Sequence, residues 1–186
     1  MMSGMTTRVL AVCTGNICRS PAVERLLAAG LAGTDVEVSS AGTRAVRGHP
    51  MSAPMAALVE GAGASADAFV ARQLTAALVR QSSLVLALTR AHRAAVVELD
   101  PAAVRRTFTL RELARLADVL GPTGTGGTAG ERLAALVPAA AAARHPAPRP
   151  ADDDVVDPYG GPQSLYQRAF DELDDPTRRI VELLTR

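Results

Sequence analysis

The sequence contains no lysine; all 20 of its basic residues are arginine. That absence excludes Schiff-base chemistry and the lysine of a nucleotide-binding P-loop. Tryptophan is also missing and aromatic residues make up only 3% of the chain, so a core has to be built mostly from Ala, Leu and Val. Two cysteines are too few for a disulfide-built secreted scaffold. No stretch approaches about eighteen apolar residues without a charge, Gly or Pro, so no membrane span is expected. The opening MMSGMTTR lacks the charged-then-apolar pattern of a secretory leader, and a cytoplasmic location is expected. A formal net charge of +1 gives no support to a nucleic-acid surface. Neither nucleic acid nor membrane is therefore expected as a partner. The surplus of Arg and Ala reads as compositional bias.

What is present is an alternation of short apolar runs and helical patterns. With 186 residues, 48% of them hydrophobic, the chain can bury a sizeable core, and one domain spanning 1–186 is the simplest organisation. Val9 to Val12 reads as a buried strand. Ser20-Pro21 reads as N-cap and first helical position, with Val23, Leu26, Leu27 and Leu31 at helical spacing and Glu24 in the first turn. Further strands are expected at Val36–Ser40 and Leu84–Leu88, and a weak one at Arg106–Phe108. Helices are expected at Pro54–Val59, Leu74–Arg80 and Arg90–Leu99. Another runs from a Thr109/Glu112 capping box to Leu120. The last covers about Ser164–Leu184, with Pro176 as a kink or restart. Strands alternating with helices predict an α/β fold of three layers: a doubly wound, four-stranded parallel sheet, Rossmann-like or flavodoxin-like, with helices on both faces. Residues 121–150 do not fit the pattern. GPTGTGGTAG and PAAAAARHPAPRP are low in complexity, with at most one helical turn at Glu131–Val137, and a mobile surface insertion is expected there.

Both cysteines fall in one stretch, VLAVCTGNICRSPAVERLL, between the first strand and the first helix. Three readings compete: a metal clip, a disulfide, or a loop built around an anion. A metal site usually wants four ligands, and His49, His92 and His145 are scattered without ligand spacing. A disulfide inside one tight loop does not suit a cytoplasmic protein. The anion reading has positive support. In a strand-to-helix loop the backbone N–H groups point inward and the helix N-terminus adds positive potential. Gly15 removes a side chain from the turn and Asn16 tolerates a left-handed backbone. Arg19 offers a planar fork for two oxygens of a tetrahedral oxyanion, and the same field favours a thiolate at Cys13.

The whole string VCTGNICRSP closely resembles the signature loop of the low-molecular-weight protein tyrosine phosphatases. The resemblance implies that Cys13 is the nucleophile and Arg19 the phosphate clamp. Thr14, Gly15, Asn16, Ile17, Cys18 and Ser20 complete the phosphate-binding loop. Ser20 would donate a hydrogen bond to the thiolate, and Cys18 would protect Cys13 by a reversible disulfide. The family's general acid is an Asp followed by Pro and an aromatic, in a loop before the last helix. Of the three Asp-Pro pairs, Asp100-Pro101 ends a helix and Asp175-Pro176 lies inside the final helical pattern. Asp157-Pro158-Tyr159 meets every condition. Asp152, Asp153 and Asp154 beside it read as a solvated charge run. Ser40, in Ser39-Ser40-Ala41-Gly42-Thr43, would brace Asn16, and Arg72-Gln73-Leu74 resembles a stretch near the site.

The resemblance covers about Arg8–Leu120 and Asp154–Arg186. It departs from the family in the 121–150 insertion, in Leu88-Thr89 where Met-Asp is usual, and in Val46 where many members have an aromatic. Val46 and Tyr159 are then the expected walls for the substrate ring. The implied activity is hydrolysis of phosphomonoesters, foremost protein phosphotyrosine, through a cysteinyl-phosphate, with no metal or other cofactor. The partner is a tyrosine-phosphorylated protein, and the enzyme a monomer or weak homodimer. Relatives that hydrolyse phosphoarginine have Thr where this chain has Ile17. Arsenate reductases usually carry further cysteines. A non-catalytic phosphoprotein-binding module would need neither nucleophile nor acid.

Overall fold

Side chains of the first strand are buried on both sides, which is why its sequence is a continuous apolar run rather than an alternating one. In the computed structural model, which describes residues 6–122, 127–145, 147 and 149–186, β1 is Thr7–Cys13. Its Val9 and Ala11 join one half of the core and Leu10 and Val12 the other. The remaining elements are α1 (Arg19–Gly30), β2 (Val36–Gly42), α2 (Ala53–Gly61), α3 (Ala76–Gln81), β3 (Leu84–Ala87), α4 (Arg90–Leu99), β4 (Thr107–Thr109), α5 (Leu110–Leu120), α6 (Ala129–Ala142) and α7 (Gln163–Thr185). Short 3-10 turns at Pro101–Arg106 and Pro150–Asp153 precede β4 and the chain's last loop.

The sheet has four strands in the order β2-β1-β3-β4, and every pair is parallel. Helices α1, α2, α5, α6 and α7 contribute to the core on one face, α3 and α4 to that on the other. This is the expected three-layer α/β architecture. Strand order reverses between β1 and β3, and the loop after β1 opens at that switch point, where such sheets bind ligands. The capping box of α5 is present in both halves: Thr109 accepts from the Glu112 amide and Glu112 from the Thr109 amide.

Four local expectations need correction. Helix α1 begins at Arg19, with Cys18 rather than Ser20 at the cap position. Ser20 is fully buried and its hydroxyl meets the Cys13 sulfur, so it is unavailable to cap. Glu24 lies beyond the first turn and accepts a 2.6 Å hydrogen bond from Ser40. Helix α7 runs unbroken through Pro176, so the restart offered as one alternative there does not occur. The segment 121–150 is not a poorly packed insertion with a single helical turn. It carries the 14-residue helix α6, whose Leu133, Leu136 and Ala140 are fully buried.

The N-terminus of α6 is fixed to the sheet. Thr128 and Glu131 form a capping box, and Asp35, just before β2, accepts from the Thr128 hydroxyl at 2.6 Å and the Gly130 amide at 2.9 Å. Those two donors hold the Asp35 carboxyl below its usual range. The missed signal was T-x-x-E followed by Leu133, Leu136 and Val137 at helical spacing, hidden between Gly-rich and Ala-rich tracts. Residues 1–5 of the opening segment and 123–126 of the Gly/Thr tract lie outside the described residues. Among those described, no helix is long and apolar enough to cross a membrane.

Candidate active site

The loop after β1 is held by its carbonyls. Thr43 donates to the Cys13 carbonyl at 2.9 Å, Arg44 to Thr14 at 3.0 Å, Val46 to Gly15 at 2.9 Å and Ser52 to Ile17 at 2.7 Å. In a trans peptide the C=O and the next N–H point in opposite directions. Pinning these carbonyls outward therefore turns the amides of Thr14, Gly15, Asn16 and Cys18 toward the other side of the loop. The segment after β2 thus extends the parallel pairing of β1 and β2 beyond the sheet and shapes an amide-lined cradle at the start of α1. Helix N-terminus and inward amides together favour a bound anion.

Asn16 is the loop's internal brace. Its backbone takes a φ of 55°, the left-handed region that Asn tolerates. Its side-chain nitrogen donates to Ser20 at 2.9 Å and to Ser40 at 2.8 Å, and its oxygen accepts from the Arg72 amide at 2.8 Å. Proton directions follow from this network. Ser20 accepts from Asn16, which leaves its own proton for the Cys13 sulfur 3.0 Å away or the more distant Ala41 carbonyl at 3.5 Å. Ser40 likewise accepts from Asn16 and donates to Glu24.

Arg19 is 4% exposed. One terminal nitrogen donates to the Val155 carbonyl at 3.1 Å and the other pairs with Asp157 at 2.7 Å. Asp157 is half exposed and its carboxylate also accepts from the Tyr159 amide at 3.2 Å, closing an Asx-type turn. Of the three preceding acids, Asp153 and Asp154 are not part of a solvated run. Asp152 pairs with Arg149, Asp153 with Arg115 and Asp154 with Arg90, and Asp154 also accepts from the Arg90 amide at 2.7 Å. Asp153 and Asp154 stitch the Asp157 loop to α5 and α4, while the exposed Asp152 pair is local.

Cys13, Thr14, Gly15, Ile17, Cys18, Arg19, Val46, Asp157 and Tyr159 line one cleft of about 290 Å³, together with Arg44. Both cysteines are free thiols. Burial pushes the Cys18 thiol up, against hydrogen bonding to Ser52. A larger depression of about 560 Å³ lies between α5, α7 and the arm before Asp157. Of its four arginines, Arg115, Arg168 and Arg179 are paired with Asp153, Glu172 and Asp175 and Arg111 donates to the Asp154 carbonyl, which makes it a cross-linked seam.

A sequence model of the low molecular weight phosphotyrosine protein phosphatases matches residues 8–143. The chain belongs to that family. It is 33% identical to a protein-arginine-phosphatase of Geobacillus stearothermophilus over 97% of each chain. It is 43% identical to the low molecular weight protein-tyrosine-phosphatase Etp of Escherichia coli, over 50% of this chain and 62% of that one. The solved structure of the YwlE arginine phosphatase from Geobacillus stearothermophilus superposes with a TM-score of 0.67 and 32% identity, covering 95% of this chain and 91% of the other. The chain is accordingly a phosphatase acting on phosphorylated proteins.

Sequence reasoning missed two residues of this phosphatase's site. His92 lies 78 positions from Thr14, yet its Nε2 is 2.8 Å from the Thr14 hydroxyl. Its Nδ1 is 3.0 Å from the Thr89 hydroxyl, which also accepts from the His92 amide. Burial, then the charge of Arg19, pulls the imidazole down to about 4, so it is neutral at ordinary pH. Thr89 best places its proton on Nδ1, leaving Nε2–H to donate to Thr14. The hydroxyl proton of Thr14 is thereby free for the cleft. The available signal was Thr89-x-x-His92, an N-cap that puts the imidazole over the cap. The second residue is Gly42. A Cβ there would strike the Thr14 carbonyl oxygen and stand 3.0 Å from the Asn16 backbone. At Gly15, the glycine singled out by the sequence, an added Cβ would make only ordinary contacts at 3.4 and 3.6 Å.

Proposed function

We propose that this phosphatase hydrolyses protein phosphotyrosine, with Cys13 as nucleophile, Arg19 as phosphate clamp and Asp157 as general acid and base. The observation that carries the reading is the convergence of the Cys13 sulfur, the amide cradle, the Arg19 fork and the Asp157 carboxylate on one cleft whose outer walls, Ile17, Val46 and Tyr159, suit an aromatic ring. The sulfur attacks phosphorus and the S–P bond forms as the P–O bond to the phenol breaks. The departing oxygen takes its proton from Asp157. Arg19 and the loop amides hold the equatorial oxygens, where charge must be stabilised. Asp157, now ionised, takes a proton from a water that attacks phosphorus, and the S–P bond breaks to release phosphate and the thiolate. Ser20, 3.0 Å from the sulfur, offers it a hydroxyl proton as it departs.

The site requires a reduced Cys13, which supports action in the reducing cytoplasm, with Cys18 at the same cleft as a reversible disulfide partner. The enzyme works as a monomer or weak homodimer. A second substrate, phosphoarginine, is favoured by the full-length relationship to a protein-arginine-phosphatase. Against it, Ile17 presents a hydrocarbon face to the cleft and leaves a guanidinium short of hydrogen-bond acceptors. The test is phosphate release from phosphotyrosyl and phosphoarginyl peptides by wild type, Cys13→Ser, Asp157→Ala and Ile17→Thr. The reading requires turnover of the phosphotyrosyl peptide that vanishes in Cys13→Ser and falls about 10²-fold or more in Asp157→Ala. Ile17→Thr should shift preference toward phosphoarginine. A wild type that cleaves only the phosphoarginyl peptide refutes the phosphotyrosine assignment.

A further inference from the structure

Of the 20 arginines, 16 hold a carboxylate or a backbone carbonyl. Among the described residues, only Arg44, Arg47, Arg80 and Arg105 have side chains with no such partner. Two of these four stand three positions apart in the segment after β2 that borders the cleft, Arg47 directly following Val46, which lines it. Arg44 lines the cleft itself, and both residues are exposed. Their backbone is fixed: Arg44 donates to Thr14 and Val46 to Gly15 along the cradle, and Gly48 to Ala71 at 3.0 Å beyond it. This is a basic edge on a rigid support, in a chain that elsewhere ties up nearly every guanidinium. The facing edge carries Asp157, already paired with Arg19, and the uncharged Tyr159.

We infer that Arg44 and Arg47 form a recognition surface for acidic residues flanking the phosphorylated residue of the substrate protein. The inference rests on the proposed hydrolysis of a phosphorylated side chain at this cleft. A chain whose modified residue reaches down to Cys13 must run across the rim, and its neighbours then pass the β2 side of the cleft. Asp or Glu there meets two unpaired guanidiniums, each able to take a carboxylate with a bidentate fork. Rim charges act mainly on encounter and salt dependence, not on the chemical step. Exposed pairs contribute about 1.5- to 5-fold each in affinity, so the two together select acidic over neutral flanks by roughly tenfold.

The experiment uses the full chain and two sets of peptides of equal length, one phosphotyrosyl and one phosphoarginyl, each with acidic, amide and basic flanks. The quantity read is the ratio of kcat/KM for acidic over amide flanks, at low and high salt, in wild type, Arg44→Ala/Arg47→Ala and Arg44→Glu/Arg47→Glu. The inference expects a wild-type ratio of roughly ten that shrinks with salt, collapses toward one in the alanine pair and inverts toward basic flanks in the glutamate pair. A wild-type ratio near one, or a ratio untouched by the alanine pair, overturns it while leaving the phosphatase reading intact. Cleavage of the phosphoarginyl set alone overturns the phosphotyrosine reading, and the flank ratio within that set still decides the inference. If neither set is cleaved, both fall.

Discussion

Arg19 and Asp157 are partners at 2.7 Å, although the proposed chemistry gives them opposite tasks: one binds the phosphate dianion and the other delivers a proton to the leaving group. In the resting site the carboxylate occupies a position on Arg19 that an oxyanion also seeks. Removing it should therefore uncouple binding from turnover. Asp157→Ala is expected to lose about 10²- to 10⁴-fold in kcat while binding inorganic phosphate about 1.5- to 5-fold more tightly. Calorimetric titration of wild type and variant with phosphate checks this, and weaker binding in the variant would contradict it.

His92 supplies a pH signature. Its folded-state value of about 4 lies below the usual 6.5, so between these values the unfolded chain binds a proton that the native site does not. Stability should fall as pH is lowered from about 7 through this window, and level off near 4, by at most about 3 kcal/mol. His92→Gln, which keeps a donor but cannot titrate, should flatten that slope. Urea midpoints measured from pH 7 to 4 in both proteins make the comparison. If His92 also sets the proton of Thr14, His92→Ala and Thr14→Val should be non-additive in kcat; strict additivity would separate them.

The two glycines of the cradle should behave in opposite ways. Gly42→Ala drives a methyl group into the carbonyl of Thr14, and a displacement of the order of 1 Å in a phosphate loop costs about 10²-fold in rate. Gly15→Ala meets only ordinary contacts and should lose far less. Steady-state assays with a small aryl phosphate rank the pair, and equal losses would show that the loop's own turn, not its neighbour strand, sets the limit.

Helix α6 should carry stability out of proportion to its low-complexity surroundings. Leu133→Ala and Leu136→Ala each remove a fully buried side chain, at a cost of about 2–5 kcal/mol. Asp35→Ala should lower the melting temperature, and its effect should fade in acid. A carboxyl held below 3.8 by Thr128 and Gly130 stabilises the fold above that pH and ceases to as pH falls through its depressed value. A melting temperature indifferent to both leucines would mean that α6 is an appendage.

The sequence made the sheet, most helices and the cradle legible because these depend on local patterns: buried apolar runs, a capping box, a turn residue between strand and helix. The residues that eluded it act across long separations. His92 reaches Thr14 only because α4 begins at the end of β3, beside the strand that ends in Cys13. Gly42 matters through a carbonyl on the neighbouring strand's loop, which no spacing within its own segment reveals. Ser20 looked like a cap because Ser before Pro usually is one; its burial against Cys13 is a tertiary fact. Asp153 and Asp154 looked solvated because their partners Arg115 and Arg90 are remote in sequence, whereas Asp152 pairs only with the exposed Arg149 that caps its own turn. Helix α6 was hidden by composition, since Ala-rich and Gly-rich flanks mask a short leucine face.

Leu88 joins the two halves of the site through one residue. Its amide donates to the carbonyl of Val12, next to Cys13, at 2.9 Å, and its carbonyl accepts from Val155, two residues before Asp157, at 2.9 Å. Val155 in turn offers its own carbonyl to Arg19. The thiol and the carboxyl are thus mounted on a common frame at the end of β3. A shift at the end of β3 would therefore move nucleophile and acid together, so a substitution that disturbs Leu88 should reach both halves of the reaction at once.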